Sequence, residues 1–237
     1  MDHDQWTAVD DYMIDQLVPP DAALDAALES SAAAGLPAIH VTPNQGKLLH
    51  LLARLVGARR ILEIGTLGGY STIWLARALP ADGRLITLEV DPAYAAVAGA
   101  NIQRAGLAEL AQVRVGPAAD TLQQLVGAGC KPFDLIFIDA DKAATAEYFT
   151  WALRLARQGS LIVIDNVVRG GKVLDSASTD PSIQGVRRFF ELAASERRVT
   201  ATAIQTVGSK GYDGFAIALV TSFRLPEAIG GASFDSR

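Results

Sequence analysis

The sequence predicts an α/β fold in which helices pack on both faces of a doubly wound, mostly parallel sheet. From about residue 59 onward, apolar runs of strand length alternate with amphipathic segments of helix length, the pattern of consecutive βαβ units. Two of these runs, 135–138 and 161–164, contain only apolar residues, as expected for strands that helices cover on both faces. We therefore expect a single domain over residues 1–237, with 1–57 as an N-terminal helical extension.

The N-terminal extension is predicted to be mostly helical. Thr42 and Pro43 suit the N-cap and first turn of a helix over residues 44–56. Before about residue 35, apolar side chains recur at helical spacing but have no evident place on the sheet. They are Trp6, Val9, Met13, Leu17, Leu24 and Leu28. We therefore expect this segment to form the interface of a homodimer; the alternative is that it covers the protein's own active site.

Seven strands are predicted from apolar runs that lie between turn residues. They cover residues 59–64, 84–90, 111–115, 133–139, 160–166, 198–207 and 214–220. The predicted helices among them cover residues 71–78, 92–105, 120–126, 143–156 and 183–194. The second of these helices has Asp91 as its N-cap and Pro92 in its first turn. The turn-rich connection 208–213 between the last two strands is short, which favours an antiparallel hairpin.

Composition and charge narrow the possible partners. The chain has 237 residues, of which 50% are hydrophobic, and its net charge of −5 comes without a basic tract, so we expect neither nucleic acid nor a membrane as a partner. No apolar stretch approaches the ~20 residues of a membrane span, and the acidic N-terminus is unlike a secretion signal, which predicts a cytoplasmic protein. Cys130 is the only cysteine, which excludes an internal disulfide bond. The tail 230–237 is predicted to fray.

A glycine-rich loop follows the first strand and opens a helix. Gly65 and two further glycines within residues 63–72 allow a sharp turn and the close approach of a ligand to the main chain. Glu89 ends the next strand, where its carboxylate would accept hydrogen bonds from two ribose hydroxyls. Together these features predict a cofactor that contains adenosine.

The spacing of the glycines disfavours a dinucleotide. The pyrophosphate fingerprint is G-x-G-x-x-G, whereas this loop reads G-T-L-G-G, and Glu63 lies just before it. A carboxylate there would repel phosphate but would attract the sulfonium and ammonium groups of S-adenosylmethionine (SAM). We therefore predict SAM, with Glu63 at its methionine end; the alternative is an NAD(P)-dependent oxidoreductase.

Polar side chains follow two of the buried strands, at ends that should meet at one edge of the sheet. Asp139 ends one strand, Asp165 and Asn166 end the other, and Lys142 follows Asp139 by three residues. Two carboxylates and an amide oxygen are ligands typical of a hard divalent cation such as Mg²⁺, with Mn²⁺ or Ca²⁺ as alternatives. Asp and Asn also cap helices at such positions, but two strand ends of the same polarity are less easily explained in that way.

Five segments resemble, in order and spacing, the cation-dependent O-methyltransferases of the caffeoyl-CoA and catechol type. They are VTPNQGKLL, LEIGTLGGYST, GPAADTL, FDLIFIDADK and LIVIDNVV, within a resemblance that covers roughly residues 38–220. The resemblance implies the Rossmann-like class I methyltransferase fold, with strand order 3-2-1-4-5-7-6 and strand 7 antiparallel. It also implies a SAM-dependent and divalent-cation-dependent enzyme that methylates a hydroxyl of a small catechol-like phenol, and a family whose members dimerise.

The resemblance assigns roles to individual residues. Asp139, Asp165 and Asn166 fall on metal ligands, and Lys142 falls on the proposed general base. The positions that fall on cofactor contacts are Val41, Glu63, Gly65, Thr66, Ser71, Glu89, Ala118 and Asp139. A cation bound to both hydroxyls of a vicinal diol would lower the pKa of the reacting hydroxyl, and neutral Lys142 could take its proton.

Two departures from the family pattern concern the acceptor. Arg169 stands where the family often has an aromatic residue, and AATAEY stands where it often has Asn-Tyr. Arg169 lies in a Gly- and Ser-bearing loop predicted to be a lid, where it could meet a carboxylate or phosphate of the acceptor. Tyr148, Tyr212 and Asp213 are further candidates for the acceptor pocket. A cofactor-binding protein without catalysis is a third alternative, disfavoured because it would not need the metal ligands and the lysine together.

Overall fold

The computed structural model describes residues 3–222, within which eight α-helices and seven β-strands follow one another. In chain order they are α1 His3–Leu17, α2 Ala22–Ala33, α3 Pro43–Leu55, β1 Arg60–Ile64, α4 Tyr70–Ala76, β2 Arg84–Glu89, α5 Pro92–Arg104, β3 Ala111–Val115, α6 Ala118–Gly127, β4 Phe133–Ile138, α7 Thr145–Leu155, β5 Ala156–Asp165, α8 Pro181–Ser195, β6 Val199–Gly208 and β7 Gly211–Val220. Every helix in this part of the chain is too short or too polar to span a membrane. The predicted fraying of residues 230–237 lies outside the described residues.

The seven strands form one sheet in the order β3-β2-β1-β4-β5-β7-β6. The first five strands pair in parallel, whereas β7 runs antiparallel to both β5 and β6. The predicted fold class, strand order and antiparallel strand are therefore confirmed. Because the order runs outward in both directions from β1 and β4, the carboxyl ends of these two strands border the crevice in which such sheets bind ligands.

Two hydrophobic cores lie on opposite faces of the sheet, since successive residues of a strand point to opposite sides. In β1, Leu62 and Ile64 belong to the core that α6, α7 and α8 cover, whereas Ile61 belongs to the core covered by α2, α3, α4 and α5. Phe149 and Phe189 meet edge to face in the first core, with ring centroids 5.2 Å apart. Burial on both faces explains why the strand segments are almost entirely apolar.

The helices of the N-terminal extension differ in how deeply they pack. α2 buries Leu24 and Ala27 in the second core. α1 contacts α3 and β6 but leaves much of its apolar surface in solvent: Val9, Tyr12 and Leu17 are 50%, 67% and 62% exposed. Of the first two helices of the extension, therefore, only α2 places apolar side chains in the core, and Leu24 packs there instead of lying in the predicted dimer interface.

The hairpin between β6 and β7 is tighter than predicted. The two strands pair as far as Gly208 and Gly211, so that Ser209 and Lys210 alone form the turn. The predicted loop over 208–213 is wrong because the turn-rich residues after Lys210 already belong to β7. Two-residue turns are common in hairpins, and the φ of +90° at Gly211 accommodates the chain reversal.

The junction between α7 and β5 also differs from prediction. The helix ends at Leu155 and the strand starts at once, with Ala156 paired to Phe133 across an irregular register. Ser160 Oγ stabilises this irregularity, since it accepts the Arg157 N–H at 2.8 Å and donates to the Phe133 carbonyl at 2.6 Å. The segment was predicted as helix end and loop because a bulged strand lacks an alternating pattern.

Candidate active site

A cavity of about 670 Å³ opens at the carboxyl ends of β1, β2 and β4. It lies at the switch point of the sheet, where open α/β folds bind ligands. Leu28 of α2 and the segment 37–41 that leads into α3 complete one wall. The predicted site residues that line this cavity are Val41, Gly65, Thr66, Ser71, Glu89, Ala118, Asp139, Lys142, Tyr148, Asn166 and Arg169.

The glycine loop between β1 and α4 passes close to the end of β4. Gly65 has a φ of +102°, and a Cβ atom added to it would lie 2.1 Å from the carbonyl oxygen of Asp139. The Asp139 N–H donates to the Ile64 carbonyl at 2.8 Å, which fixes the two strand ends side by side. A side chain at residue 65 would therefore force the glycine loop and Asp139 apart.

Glu89 ends β2 and faces the glycine loop. Its Oε2 atom accepts the Leu67 N–H at 2.8 Å and the Thr66 N–H at 3.3 Å, and its Oε1 atom accepts the Asp91 N–H at 3.0 Å. The carboxylate therefore holds the loop in shape while it also lines the cavity. Each carboxylate oxygen can accept more than one hydrogen bond, so ligand hydroxyls can still donate to Glu89.

Glu63 lies one layer behind the cavity wall. It is fully buried and is not among the lining residues, whereas Ser71, which lines the cavity, donates to Glu63 Oε1 at 2.6 Å. Thr72 donates to Oε2. Burial raises the pKa of Glu63 to about 7, although the hydroxyl donors oppose this shift. Glu63 therefore does not contact the cavity itself and acts on it only by orienting the Ser71 hydroxyl.

Unusual backbone conformations are concentrated at this cavity. Among the described residues, three that are not glycine have a positive φ: Leu67 at 51°, Asn166 at 58° and Arg169 at 57°. All three line the cavity. Such conformations are unfavourable for L-residues and persist where neighbouring contacts enforce them, often at binding sites. Two of the three lie on the loop that follows β5.

Asp139 and Asp165 form an acidic corner at the ends of β4 and β5. Lys142 Nζ lies 2.7 Å from Asp139 Oδ1, and Asp165 Oδ1 accepts the Asn166 N–H at 2.8 Å. Burial and, next, the charge of Asp139 raise the pKa of Asp165 to about 7, against the opposing effects of Lys142 and of a hydrogen bond from Gln45. The negative charge at this corner is therefore only partly compensated by protein groups.

The donor atoms at the acidic corner fit a hard divalent cation. Asp139, Asp165 and Asn166 offer only oxygen ligands, the type that Mg²⁺ and Ca²⁺ prefer. Within residues 3–222 there is no cluster of three His, Cys, Asp or Glu side chains that could hold a metal ion. A cation at this corner would therefore depend on the Asn166 oxygen and on ligands from outside the protein.

Lys210 is a charged neighbour of this corner that sequence patterns do not reveal. From the hairpin turn its Nζ atom donates to the carbonyl oxygens of Ala38, at 3.3 Å, and His40. Partial burial lowers the pKa of Lys210, although the charges of Asp139 and Asp165 act in the opposite direction. In the sequence, a lysine between a serine and a glycine indicates only a turn. The position of Lys210 beside the loop over residues 37–41 results from tertiary packing, which the sequence pattern does not show.

The residues predicted for the acceptor side are placed differently from one another. Arg169 and Tyr148 line the cavity, and the Tyr148 hydroxyl donates to Asp141 at 2.6 Å. Tyr212 and Asp213 are not among the lining residues. Asp213 Oδ1 instead accepts the N–H groups of residues 168, 169 and 214 at 2.9–3.0 Å, so it shapes the loop after β5.

The strand order, the antiparallel β7 and the glycine-loop cavity together define a Rossmann-like methyltransferase of class I. A family model described as O-methyltransferase matches residues 20–219. The chain is 59% identical over 220 residues to a catechol O-methyltransferase from Niastella koreensis, which covers 93% of this chain and 100% of that protein. It is 54% identical over 212 residues to a catechol O-methyltransferase from Mycobacterium tuberculosis, with 90% and 94% covered.

A solved structure agrees with these relatives. It is the O-methyltransferase from Bacillus cereus in complex with S-adenosylhomocysteine (SAH), which is 56% identical to this chain and has a TM-score of 0.92. The match covers 93% of this chain and 100% of that one. The chain therefore belongs to the O-methyltransferase family, and it is an enzyme of that class. Neither the oxidoreductase nor the binding protein without catalysis, the two alternatives considered from the sequence, is supported.

Proposed function

We propose that the protein transfers a methyl group from SAM to one hydroxyl of a small catechol-like phenol and that it requires a divalent cation. The observation that carries this proposal is the junction of two half-sites in one cavity: the glycine loop with Glu89 on one side, and the corner of Asp139, Lys142 and Asn166 on the other. Relatives named catechol O-methyltransferase support the acceptor class, and the SAH-bound relative supports the cofactor.

The cofactor half is formed by residues with distinct tasks. Glu89 would accept hydrogen bonds from the ribose hydroxyls, a role supported by the position of its carboxylate in the cavity wall beside the glycine loop. Ser71, hydrogen-bonded to Glu63, would meet the methionine end of SAM. Gly65 lets the main chain approach the ligand closely, and Val41, Thr66 and Ala118 complete the wall.

At the acidic corner, Asp139, Asp165 and Asn166 would hold the cation, for which Mg²⁺ is the first choice and Mn²⁺ or Ca²⁺ the alternatives. A bound cation would lower the pKa of a hydroxyl coordinated to it. Lys142 would take the proton of the reacting hydroxyl, and its contact with Asp139 at 2.7 Å fixes its position at the corner. The two half-sites together orient donor and acceptor, an effect that contributes up to about 7–11 kcal/mol in two-substrate reactions.

The acceptor class is tested by methyl transfer from labelled SAM to three related phenols. Catechol should be methylated once, whereas phenol and 2-methoxyphenol, which each lack one of the two free hydroxyls, should be poor acceptors. Equal turnover of catechol and phenol would contradict the proposed role of a diol bound at the acidic corner. Absence of methylation of any phenol would contradict the proposed acceptor class as a whole.

We also infer that the protein is a homodimer formed through α1 and β6. β6 is an edge strand without a charged residue, and Ile204 and Val207 on it are 49% and 51% exposed. Exposed uncharged edges favour pairing with another chain, and α1, which contacts β6, adds exposed Val9 and Tyr12. A second copy would cover both elements at once.

Light scattering at micromolar concentration tests the dimer against the chain mass of 25.0 kDa. The parent protein should have twice this mass, and a variant with Val9→Lys and Tyr12→Lys should have the mass of one chain. Leu174→Lys changes another exposed apolar residue and should leave the dimer intact. A parent protein with the mass of a single chain would contradict the inference.

A further inference from the structure

Arg169 has a conformation that its surroundings enforce. Its φ is +57°, in the left-handed region, and its N–H donates to Asp213 Oδ1 at 2.9 Å. The same oxygen accepts the N–H groups of Val168 and Gly214 at 3.0 and 2.9 Å. Three backbone hydrogen bonds to one carboxylate oxygen thus hold residue 169 in a backbone conformation that an L-residue seldom adopts. The result is an arginine fixed in the cavity wall.

The guanidinium of Arg169 has unused hydrogen-bonding capacity. Its Nη1 atom lies 3.7 Å from Asp213 Oδ2, which is an ion pair beyond hydrogen-bonding distance. Its Nε atom is buried and has no hydrogen-bond partner among the described residues. A guanidinium carries five N–H donors, and within residues 3–222 none of those of Arg169 makes a hydrogen bond.

Other arginines of the chain are engaged more closely with carboxylates. Pairs at hydrogen-bonding distance are Arg77 with Asp21, Arg157 with Asp134 and Arg198 with Glu196. None of these six residues lines the cavity. Arg169 differs from these three arginines because it lines the cavity and donates no hydrogen bond within the described residues, so a ligand is the partner that its position allows.

The charges around Arg169 favour an anion. Lys142 is paired with Asp139, and Lys210 in the hairpin turn is close enough to the corner for its charge to interact with Asp139 and Asp165, so Arg169 is one of three cationic side chains near the corner. Asp139, Asp141, Asp165 and Asp213 oppose them with four carboxylates. If the cation of the proposed function occupies the corner, positive charge predominates there. A negatively charged acceptor would be attracted to this end, whereas a positively charged one would be repelled.

We propose that the preferred acceptor is a catechol that carries a carboxylate, and that Arg169 binds this carboxylate. The proposal rests on the proposed function, because it requires the diol to lie at the acidic corner. The planar guanidinium matches a carboxylate through two parallel N–H donors, which gives both affinity and orientation. Arg169 is in this view a residue that determines acceptor specificity.

The test compares acids with their neutral esters. The acceptors are 3,4-dihydroxybenzoate and 3,4-dihydroxycinnamate, which place the carboxylate at two distances from the diol, the methyl ester of each, and 3,4-dihydroxybenzylamine. For at least one of the two distances between carboxylate and diol, kcat/KM of the parent enzyme should be roughly 10- to 100-fold higher for the acid than for its ester. This ratio corresponds to the free energy that hydrogen bonds to a charged group typically contribute. The amine should be the poorest acceptor.

Variants separate recognition from folding. Arg169→Met should lower kcat/KM for the acid far more than for the ester and so remove the preference for the acid, and Arg169→Lys should restore part of the preference. Lys172→Met removes a positive charge from an exposed residue of the same loop and should change neither value. Thermal unfolding and calorimetry with SAH should give parental values for Arg169→Met.

Three results would overturn the proposal: equal use of acid and ester by the parent, an equal loss for both in Arg169→Met, or weaker SAH binding in Arg169→Met. The last of these would mean that Arg169 binds the carboxylate of the cofactor. If instead the parent methylates neither acids nor esters, the proposed function itself has failed.

Discussion

Asp10 and Ser209 are 199 residues apart in the chain, yet Asp10 Oδ2 accepts the Ser209 N–H at 2.8 Å. Asp10 is buried, and a Cβ atom added to Gly208 would lie 2.3 Å from the same oxygen. The next residue, Lys210, donates to the carbonyl of His40, which lines the cavity. Helix α1 thus anchors the β6–β7 turn, and this turn holds the loop over residues 37–41 that lines the cavity.

Asp10→Ala should therefore affect both stability and cofactor binding. The change leaves the Ser209 N–H without its charged acceptor, so we expect the free energy of unfolding in urea to fall by about 1.5–3 kcal/mol. Calorimetry should also show weaker SAH binding, because the loop over residues 37–41 loses support. Asp11→Ala, an exposed neighbour on the same helix, is the control. The same values for both variants would argue against the anchor.

Gly65→Ala should disrupt the cavity more than its backbone strain alone explains. The added Cβ atom would meet the Asp139 carbonyl at 2.1 Å, and backbone atoms cannot move aside as a flexible side chain can. Gly106→Ala is a matched control, since Gly106 has a φ of +73° but no atom within 4 Å of an added Cβ. We expect the control to lose about 1–2 kcal/mol of stability and keep SAH binding. The Gly65 variant should lose SAH binding; parental affinity would contradict the close approach.

Glu63→Gln should flatten part of the pH dependence of stability. The pKa of Glu63 is about 7 in the folded protein and 4.5 ordinarily, so below pH 4.5 its contribution to stability is fully present. Between pH 4.5 and 7 only the folded state keeps the proton, and the contribution is lost as the pH rises. Between pH 4.5 and 7, the free energy of unfolding of the parent should therefore fall by on the order of 3 kcal/mol more than that of the variant. Urea unfolding in EDTA from pH 5 to 8 measures the difference, and parallel curves would contradict the shift.

Lys142 should act in the chemical step. If it accepts the proton of the reacting hydroxyl, Lys142→Ala should lower kcat by about 10²–10⁴-fold with little change in SAH affinity. Lys142→Arg keeps the positive charge beside Asp139 but cannot act as a base, so it should be as slow as the alanine variant. An arginine variant with nearly parental kcat would mean that Lys142 acts through its charge alone.

The sequence predicts the sheet well because its strands are covered on both faces. Long apolar runs such as 135–138 and 161–164 leave little ambiguity, and the resemblance supplied the order in which the strands pair. The errors lie in segments without such a pattern. The bulged start of β5 has no alternation, and the residues after Lys210 combine turn composition with strand geometry.

The candidate site shows where prediction from the sequence ends. Strand-end residues such as Asp139 and Asn166 were found because the topology of parallel strands brings their ends together. Gln45 and Lys210 reach the same corner from a helix and a hairpin turn, and their spacing in the sequence carries no sign of it. The position of Glu63 behind Ser71 is likewise a matter of packing depth, which a motif does not encode.

The dependence of activity on a divalent cation tests the central claim most directly. Methylation of catechol should stop when the enzyme is treated with EDTA and should return on addition of Mg²⁺ or Mn²⁺, because Asp139, Asp165 and Asn166 supply only oxygen ligands. Asp165→Asn should lose activity in saturating Mg²⁺, whereas Asp175→Asn, an exposed carboxylate of the following loop, should keep it. Full activity of the parent enzyme after exhaustive chelation would contradict the account.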